Sequence, residues 1–379
     1  MKRILHISKY YEPFKGGTEL VARDCVRALA GRYEQRVICF NHEPGTRTDS
    51  VDGVEVLRVG CFAKVASQSL SLGYGRALAR CIRQFRPDAV VFHYPNPFVA
   101  HFLLGRLPEG TKLVIYWHLD IVKQKLLGKL FRGQNRRLVK RADRLIATSP
   151  PYAEGSEWLR SEKDKVAVIP NSIDAARLAM TPAAEAFAAQ IREQYAGRTI
   201  CLAVGRHTRY KGFDALIEAA KYLDGRFIVL IAGEGEETPR LRQLAGESAI
   251  VRFLGRVDDD ALKGYLRAMD IFCFPSVTRN EAFGLALAEA MYFEKPAVTF
   301  TVPGSGVNYV CLDGEDGIEV PNGDARAYAE ALKRLAADPD LRARLGQNGR
   351  RRVEENFLSD KFRDRIRALI DETTKDHHR

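Results

Sequence analysis

Short apolar runs, each followed by an amphipathic stretch, alternate along this chain from its first residues almost to its last. In the first half, runs near Arg3–Ser8, Gln35–Phe40, Val54–Val59, Ala89–His93, Leu113–Trp117, Arg144–Ala147 and Val166–Ile169 have the length and β-branched content of buried strands. Between them the apolar spacing changes to a helical period, as over Thr18–Ala30 and Leu70–Phe85. The second half repeats the pattern, with strands near Ile200–Val204, Phe227–Ala232, Ile250–Leu254, Ile271–Phe274 and Ala297–Thr301 and helices over Asp260–Met269 and Phe283–Tyr292. From Ala325 to Thr374 the pattern is helical and strongly charged. Strand–helix alternation predicts an α/β chain with doubly wound parallel sheets, because parallel neighbours need a crossover and the helix supplies it.

A length of 379 residues exceeds one ordinary core and suits two domains of about 170–200 residues each. The expected division is 1–170, 171–358 and a final 359–379, with the connection around Pro170–Pro182. The end, Lys375–Arg379, is expected to be a frayed tail, its two adjacent histidines disordered rather than metal-binding.

No apolar run approaches the roughly 20 residues of a membrane-spanning helix. Met1-Lys2-Arg3-Ile4-Leu5-His6-Ile7 is too short and too quickly polar for a secretory leader, so a cytoplasmic protein is expected. Seven cysteines without a Cys-x-x-Cys pair read as free buried thiols, not as disulfides or zinc ligands. The net charge of +11 is unevenly placed: residues 1–170 carry 29 Lys+Arg against 16 Asp+Glu, or +13, and residues 171–379 carry 30 against 32, or −2. The excess is densest over Lys123–Arg144, where nine basic residues face one acid, Asp143, among interleaved leucines. Such a basic amphipathic segment fits the solvated face of a packed helix or an element attracted to an anionic membrane surface. A nucleic-acid site is set aside, since the aromatic interleaving for base stacking is missing.

The chemistry concentrates in Asn280-Glu281-Ala282-Phe283-Gly284-Leu285-Ala286-Leu287-Ala288-Glu289-Ala290. Glu281 falls in the loop after the strand Ile271–Phe274, and Gly284 lets the backbone approach a ligand closely. The free N–H groups of the helix that follows, aided by its dipole, offer a site for a phosphate or pyrophosphate. Glu289, two turns further on, can reach a hydroxyl such as one on a ribose. Two more glycine-bearing segments follow strands and precede helices: Gly205-Arg206-His207-Thr208-Arg209-Tyr210-Lys211-Gly212, and Gly16-Gly17 after Tyr10-Tyr11-Glu12-Pro13-Phe14-Lys15. Asp258-Asp259-Asp260 opens a helix and reads as N-terminal capping rather than as an Asp-x-Asp metal motif.

The spacing of Glu281 and Glu289 resembles the Glu-x7-Glu signature of the retaining glycosyltransferases of the GT-B fold, glycosyltransferase group 1, and the resemblance extends over most of the chain. It implies two Rossmann-like domains facing a cleft that holds the donor, and a last helix, Ser359–Glu372, crossing back to the first domain. Gly205–Gly212 resembles the family's Gly-Arg-x4-Lys-Gly motif, which implies that Arg206 and Lys211 neutralise the diphosphate leaving group without a metal. Gly16 and Gly17 look like the family's glycine loop beside the donor. His118, in Tyr116-Trp117-His118-Leu119-Asp120, matches the histidine set beside the donor sugar. The resemblance further implies that Glu281 contacts hydroxyls of the transferred sugar and Glu289 the ribose. Phe283, Gly284 and Leu285 would lie at the diphosphate, Gly233 of Gly233-Glu234-Gly235 at the nucleotide pocket, and Arg256 or Val257 at the nucleobase. Tyr10, Tyr11, His93 and Asp120 are expected on the acceptor side. Asn171, in Pro170-Asn171-Ser172-Ile173-Asp174, matches the family's linker motif and is expected to shape the hinge.

The resemblance is strongest to bacterial O-antigen mannosyl- and rhamnosyltransferases, which implies a GDP-linked donor, GDP-mannose first. The acceptor would be a hydroxyl of a growing or lipid-linked glycan. No cofactor or metal is expected, and the basic segment would hold the enzyme on the inner face of a membrane. After Thr301 the chain departs from the common pattern: Pro303-Gly304-Ser305-Gly306-Val307-Asn308 stands where many relatives carry Gly-Gly and an acid, leaving Gly306 and Asn308 as wall candidates. A UDP-sugar donor and a GT-B nucleotide-sugar epimerase remain alternatives. An NAD-dependent dehydrogenase is disfavoured, because the first strand is not followed by Gly-x-Gly-x-x-Gly.

Overall fold

Val, Ile, Leu and Phe fill the central strands on both faces, and in the computed structural model these strands become two separate sheets. The structure describes residues 1–14, 16–65, 68–121 and 125–375. The strands are β1 (Arg3–Ile7), β2 (Glu34–Phe40), β3 (Arg47–Val51), β4 (Val54–Val59), β5 (Ala63–Val65), β6 (Gln68–Leu70), β7 (Ala89–Tyr94), β8 (Lys112–Trp117), β9 (Arg144–Ala147) and β10 (Val166–Val168) in the N-terminal part. They continue with β11 (Thr199–Val204), β12 (Phe227–Ala232), β13 (Val251–Gly255), β14 (Ile271–Phe274), β15 (Ala297–Phe300) and β16 (Gly317–Val320).

Contacts divide the chain into an N-terminal unit, Met1–Asn171 with the chain from Ser359 onward, and a C-terminal unit, Ser172–Leu358. The N-terminal sheet runs β10-β9-β8-β7-β1-β2-β4-β3 and is parallel except for the edge pair β3/β4. Its order reverses between β1 and β7. The C-terminal sheet runs β13-β12-β11-β14-β15-β16, all parallel, with the reversal between β11 and β14. In open sheets of this kind, ligands bind beyond the carboxyl ends of the strands at such a reversal.

The helix Ser359–Thr374 belongs to the N-terminal unit: Phe362, Ile366, Leu369 and Ile370 are buried in one cluster with Val21, Cys25, Ala28 and Leu29 of the helix Gly17–Leu29. Arg144 and Arg32 fasten its exposed side to Glu372 and Asp371. All seven cysteines are free, and all but Cys61 are buried.

Several boundaries differ from expectation. The helix expected over Leu70–Phe85 is Tyr74–Phe85, because Leu70 pairs with Ala63 in the β5/β6 hairpin and Gly73 stands at the N-cap. The helix expected from Phe283 begins at Leu285, because Gly284 takes φ +101° and Phe283 turns into the core against Phe357. The strand β3 was not expected: it is short and at the edge, and four of its five residues, Arg47, Thr48, Asp49 and Ser50, are polar, so no apolar alternation marks it in the sequence. The helix Lys125–Arg141 forms within the basic segment, while Lys123 and the side chains of Lys125 and Lys129 lie outside what is described. Of the tail, Asp376–Arg379 lies outside the described residues. Among those residues no helix is long and apolar enough to cross a membrane.

Candidate active site

In the C-terminal unit both sides of the sheet reversal carry predicted site residues. The chain leaves β11 at Val204 and enters Gly205-Arg206; it leaves β14 at Phe274 and enters the loop Pro275–Gly284. Lys211 from the first loop and Glu281 from the second, 70 residues apart, meet in a direct ion pair whose side chains are only 13 % and 11 % exposed. Burial pulls the Lys211 ammonium down, but the Glu281 carboxylate, Tyr210 and the hydrogen bond to Glu281 outweigh it and leave Lys211 above its ordinary value. The ammonium also lies 5.0 Å from the Phe274 ring centroid and 5.6 Å from that of Tyr210. Arg206 is exposed beside this pair, and its charge opposes that of Lys211. Two cations therefore stand at the mouth of the reversal, one of them shared with a carboxylate.

Glu281 is held from several directions. Ser276 donates to its carboxylate at 3.3 Å, Ser305 donates to its carbonyl at 2.5 Å, and its own N–H bonds the Thr278 carbonyl at 3.1 Å. Three residues on, Gly284 provides the positive φ that opens the helix Leu285–Tyr292; a Cβ there would also press on the Phe274 ring at 3.2 Å. The Leu287 and Ala288 amides both donate to the Gly284 carbonyl at 3.1 Å, and the N-terminal end of the helix, where the dipole favours an anion, opens beside this loop. Glu289 lies two turns along and takes the guanidinium of Arg177 on Oε1.

The Gly233-Glu234-Gly235 loop has a reason that the sequence does not display. A Cβ on Gly233 would fall 2.0 Å from the Gly205 carbonyl oxygen, and one on Gly235 would fall 2.3 Å from that of His207. The glycines let this loop lie backbone to backbone against the Arg206 loop, through Gly205 N–H to Ala232 O at 3.0 Å and His207 N–H to Glu234 O at 3.1 Å. Arg256 is 86 % exposed and paired with Glu234 at 3.3 Å, with Val257 half-buried next to it. Phe283, expected at the donor, is only 2 % exposed, so its side chain is a core residue and only its backbone lies in the loop. Gly306 packs against the Ala282 carbonyl, and the Asn308 amide is occupied by Val302 N–H and Phe300 O. Asp258 caps its helix by accepting from Ala261 N–H at 2.8 Å, the capping role read from the sequence.

In the N-terminal unit, His118 follows β8 and its Nε2 is 3.0 Å from Nδ1 of His93, at the end of β7. The two rings stack with each other and with Tyr116. His6 on β1 lies near His93, with Nε2 on Gln35 at 2.9 Å. Burial keeps all three histidines uncharged: His118 is pushed down to about 3 and His6 to about 4, while His93 falls well below its usual value under burial and its two neighbours. The residues expected on the acceptor side are internal instead. Tyr10, Tyr11, His93 and Asp120 are 5, 2, 3 and 6 % exposed. Tyr10 bonds Ser69 at 2.7 Å, and Asp120 accepts from Trp117 Nε1 at 2.8 Å and Ser156 at 3.0 Å, so these two side chains brace the loops that carry them. Gly16 is the N-cap of the helix Gly17–Leu29, with the Glu19 carboxylate against it, and Gly17 faces open space. Asn171 accepts from Tyr116 Oη at 2.8 Å, consistent with a shaping role for the linker.

Sequence reasoning missed Arg177, Ser276 and Ser305, which orient the two glutamates, and Arg58. Arg58 is fully buried on β4; it bonds Asp49 and the carbonyls of Tyr11 and Glu12, fixing the loop that leads to Gly16. A buried arginine in a strand pattern was the available signal, because such a charge needs fixed partners. Among the described residues no group of three or more His, Cys, Asp or Glu is arranged to hold a metal ion.

Comparison with known proteins agrees with this architecture. The family described as glycosyl transferases group 1 matches residues 185–352, and the glycosyl transferase 4-like domain matches residues 16–172. The O-antigen chain mannosyltransferase C of Escherichia coli is 31 % identical over 94 % of this chain and 95 % of its own length. The D-rhamnosyltransferase WbpZ of Pseudomonas aeruginosa is 30 % identical over 94 % and 92 %. The structure of sucrose-phosphate synthase from Thermosynechococcus elongatus superposes with a TM-score of 0.81 at 21 % identity, covering 98 % of this chain and 99 % of that one, a likeness of fold. Two doubly wound units, a cation–carboxylate pair at the sheet reversal and these matches together make the chain a member of the group 1 glycosyltransferases, an enzyme with the GT-B fold.

Proposed function

We propose that this glycosyltransferase moves a hexosyl unit, mannose before D-rhamnose, from a GDP-linked donor to a hydroxyl of a growing or lipid-linked surface polysaccharide, with retention of configuration and without a metal. The observation that carries the reading is the meeting of Lys211, Arg206 and the amide end of the helix Leu285–Tyr292 at the reversal of the C-terminal sheet. These groups match a diphosphate, whose charge rises as the glycosidic bond breaks. The names of the O-antigen relatives supply the sugar and the pathway class.

In this mechanism the acceptor oxygen forms its bond to the anomeric carbon on the face from which the donor phosphate leaves. The breaking C–O bond gives its electron pair to the nucleoside diphosphate, which also takes the acceptor's proton. Lys211 and Arg206 stabilise the departing charge, as a divalent cation would in other glycosyltransferases. Glu281, held by Ser276 and Ser305, accepts from hydroxyls of the transferred sugar, and Glu289 accepts from the ribose. Arg136, Arg137 and Lys140 stand exposed on the helix Lys125–Arg141 and support attraction to an anionic membrane surface, at about 1 kcal/mol per basic residue close to it.

The test is calorimetric titration of GDP-mannose, UDP-glucose and UDP-N-acetylglucosamine, without divalent metal, into the wild type and Lys211→Ala. Binding of GDP-mannose that the variant loses is the expected result. Preference for a UDP-sugar would replace the donor assignment, and equal binding by the variant would overturn the diphosphate site. Product analysis with donor alone separates a transferase from an epimerase.

A further inference from the structure

Glu289 is half-buried on the second turn of its helix, and one guanidinium reaches it across 112 residues of sequence. Arg177 comes from a turn fixed by Asp174, whose carboxylate accepts from Ala176 N–H at 3.0 Å and Arg177 N–H at 3.3 Å while its carbonyl takes Leu178 N–H at 3.2 Å. Leu178 is 1 % exposed and anchors the turn in the core of the C-terminal unit. The guanidinium is therefore presented by a closed local structure. It engages Oε1 of Glu289, and Oε2 carries no bond among the described residues. The side chains are 28 % and 14 % exposed, so the pair sits at the edge of solvent where a ligand can reach the second oxygen.

The chemistry of a half-buried carboxylate makes the partner consequential. Burial pushes the Glu289 carboxyl up, Arg177 pulls it back by charge and hydrogen bond, and Asp259 pushes it up again. A protonated or swinging carboxyl is a poor acceptor for two neighbouring hydroxyls. An ionised one with a single oxygen anchored presents the other at a fixed place.

We propose that Arg177 is a positioning residue for donor recognition, anchoring one oxygen of Glu289 so that the other accepts from the ribose hydroxyls of the nucleoside diphosphate. The proposal rests on the reading of Glu289 as the ribose carboxylate. The experiment measures binding of GDP and UDP, each beside its 2′-deoxy and 3′-deoxy counterparts, to the wild type, Arg177→Gln, Arg177→Lys and Glu289→Gln. In the wild type, loss of the hydroxyl that meets Glu289 should weaken binding about tenfold, as expected for one hydrogen bond to a charged acceptor. That ratio should fall to about two in Arg177→Gln, recover partly in Arg177→Lys and vanish in Glu289→Gln. A merely structural arginine would lower all affinities together and leave the ratio unchanged. If the wild type discriminates and Arg177→Gln keeps the same ratio, Arg177 plays no such part and the reading of Glu289 stands. If the wild type does not discriminate, or binds neither diphosphate, the ribose reading fails and the proposal falls with it. Melting curves identify a variant that has not folded, and Arg177→Lys then carries the comparison.

Discussion

Replacing Lys211 by Met keeps the length of the side chain and removes its charge, leaving the Glu281 carboxylate at 11 % exposure with the 3.3 Å Ser276 hydroxyl as a weak substitute partner. Removing one member of a buried ion pair costs about 3–5 kcal/mol, because the other charge stays desolvated and uncompensated. The pair is not wholly buried, so about 3 kcal/mol is expected. For a unit the size of Ser172–Leu358, about 2–4 °C per kcal/mol puts the fall in melting temperature at about 6–12 °C. The double variant Lys211→Met/Glu281→Gln removes both charges and should recover most of that loss, within about 1.5 kcal/mol of the wild type. Calorimetric melting of the wild type, both singles and the double closes the cycle. Catalysis should not recover with stability: kcat/KM should stay down by about a thousandfold in both Lys211 variants, the usual consequence of losing a stabilising charge on a leaving group. A single variant that melts within about 1 °C of the wild type, or a double whose losses simply add, would refute the account of the pair.

Two further predictions test the scaffold. The three uncharged histidines, His6, His93 and His118, have folded values below the usual 6.5, so below that pH the unfolded chain takes up protons that the folded chain refuses. Stability is therefore complete above about pH 6.5 and falls as pH drops toward 4, by about 1.4 kcal/mol per pH unit for each histidine. Urea midpoints between pH 6.5 and 4.5 should show this slope, reduced in His118→Gln; an equal slope in that variant would contradict it. Gly212 has φ +64°, and a Cβ there would lie 2.0 Å from the Pro275 carbonyl oxygen. Gly212→Ala should push the Lys211 loop away from the β14 loop, costing about 2–3 kcal/mol of stability and weakening nucleotide binding at least tenfold; unchanged binding would show that the two loops need not touch.

The local pattern of the chain sufficed for the alternation of strand and helix, the two parallel sheets and the placing of the glycine and glutamate motifs in loops after strands, because burial periodicity and turn chemistry act over a few residues. Even the missed hairpin left a mark: Asp52 and Gly53, both at positive φ between Val51 and Val54, are a two-residue turn signal that β3 is too polar to reinforce. What only the tertiary structure decided are relations across long separations. Lys211 and Glu281 read as two independent motifs, and folding made them one ion pair across 70 residues. Arg177 had no motif at all until the Asp174 turn brought it to Glu289. Tyr10, Tyr11, His93 and Asp120 looked like polar groups at strand ends, but the packing of neighbouring loops turned them inward. Gly233 and Gly235 owe their identity to the Gly205 and His207 carbonyls. Each of these depends on which distant backbone or charge arrives next to a residue, a property of the closed fold that no local spacing encodes.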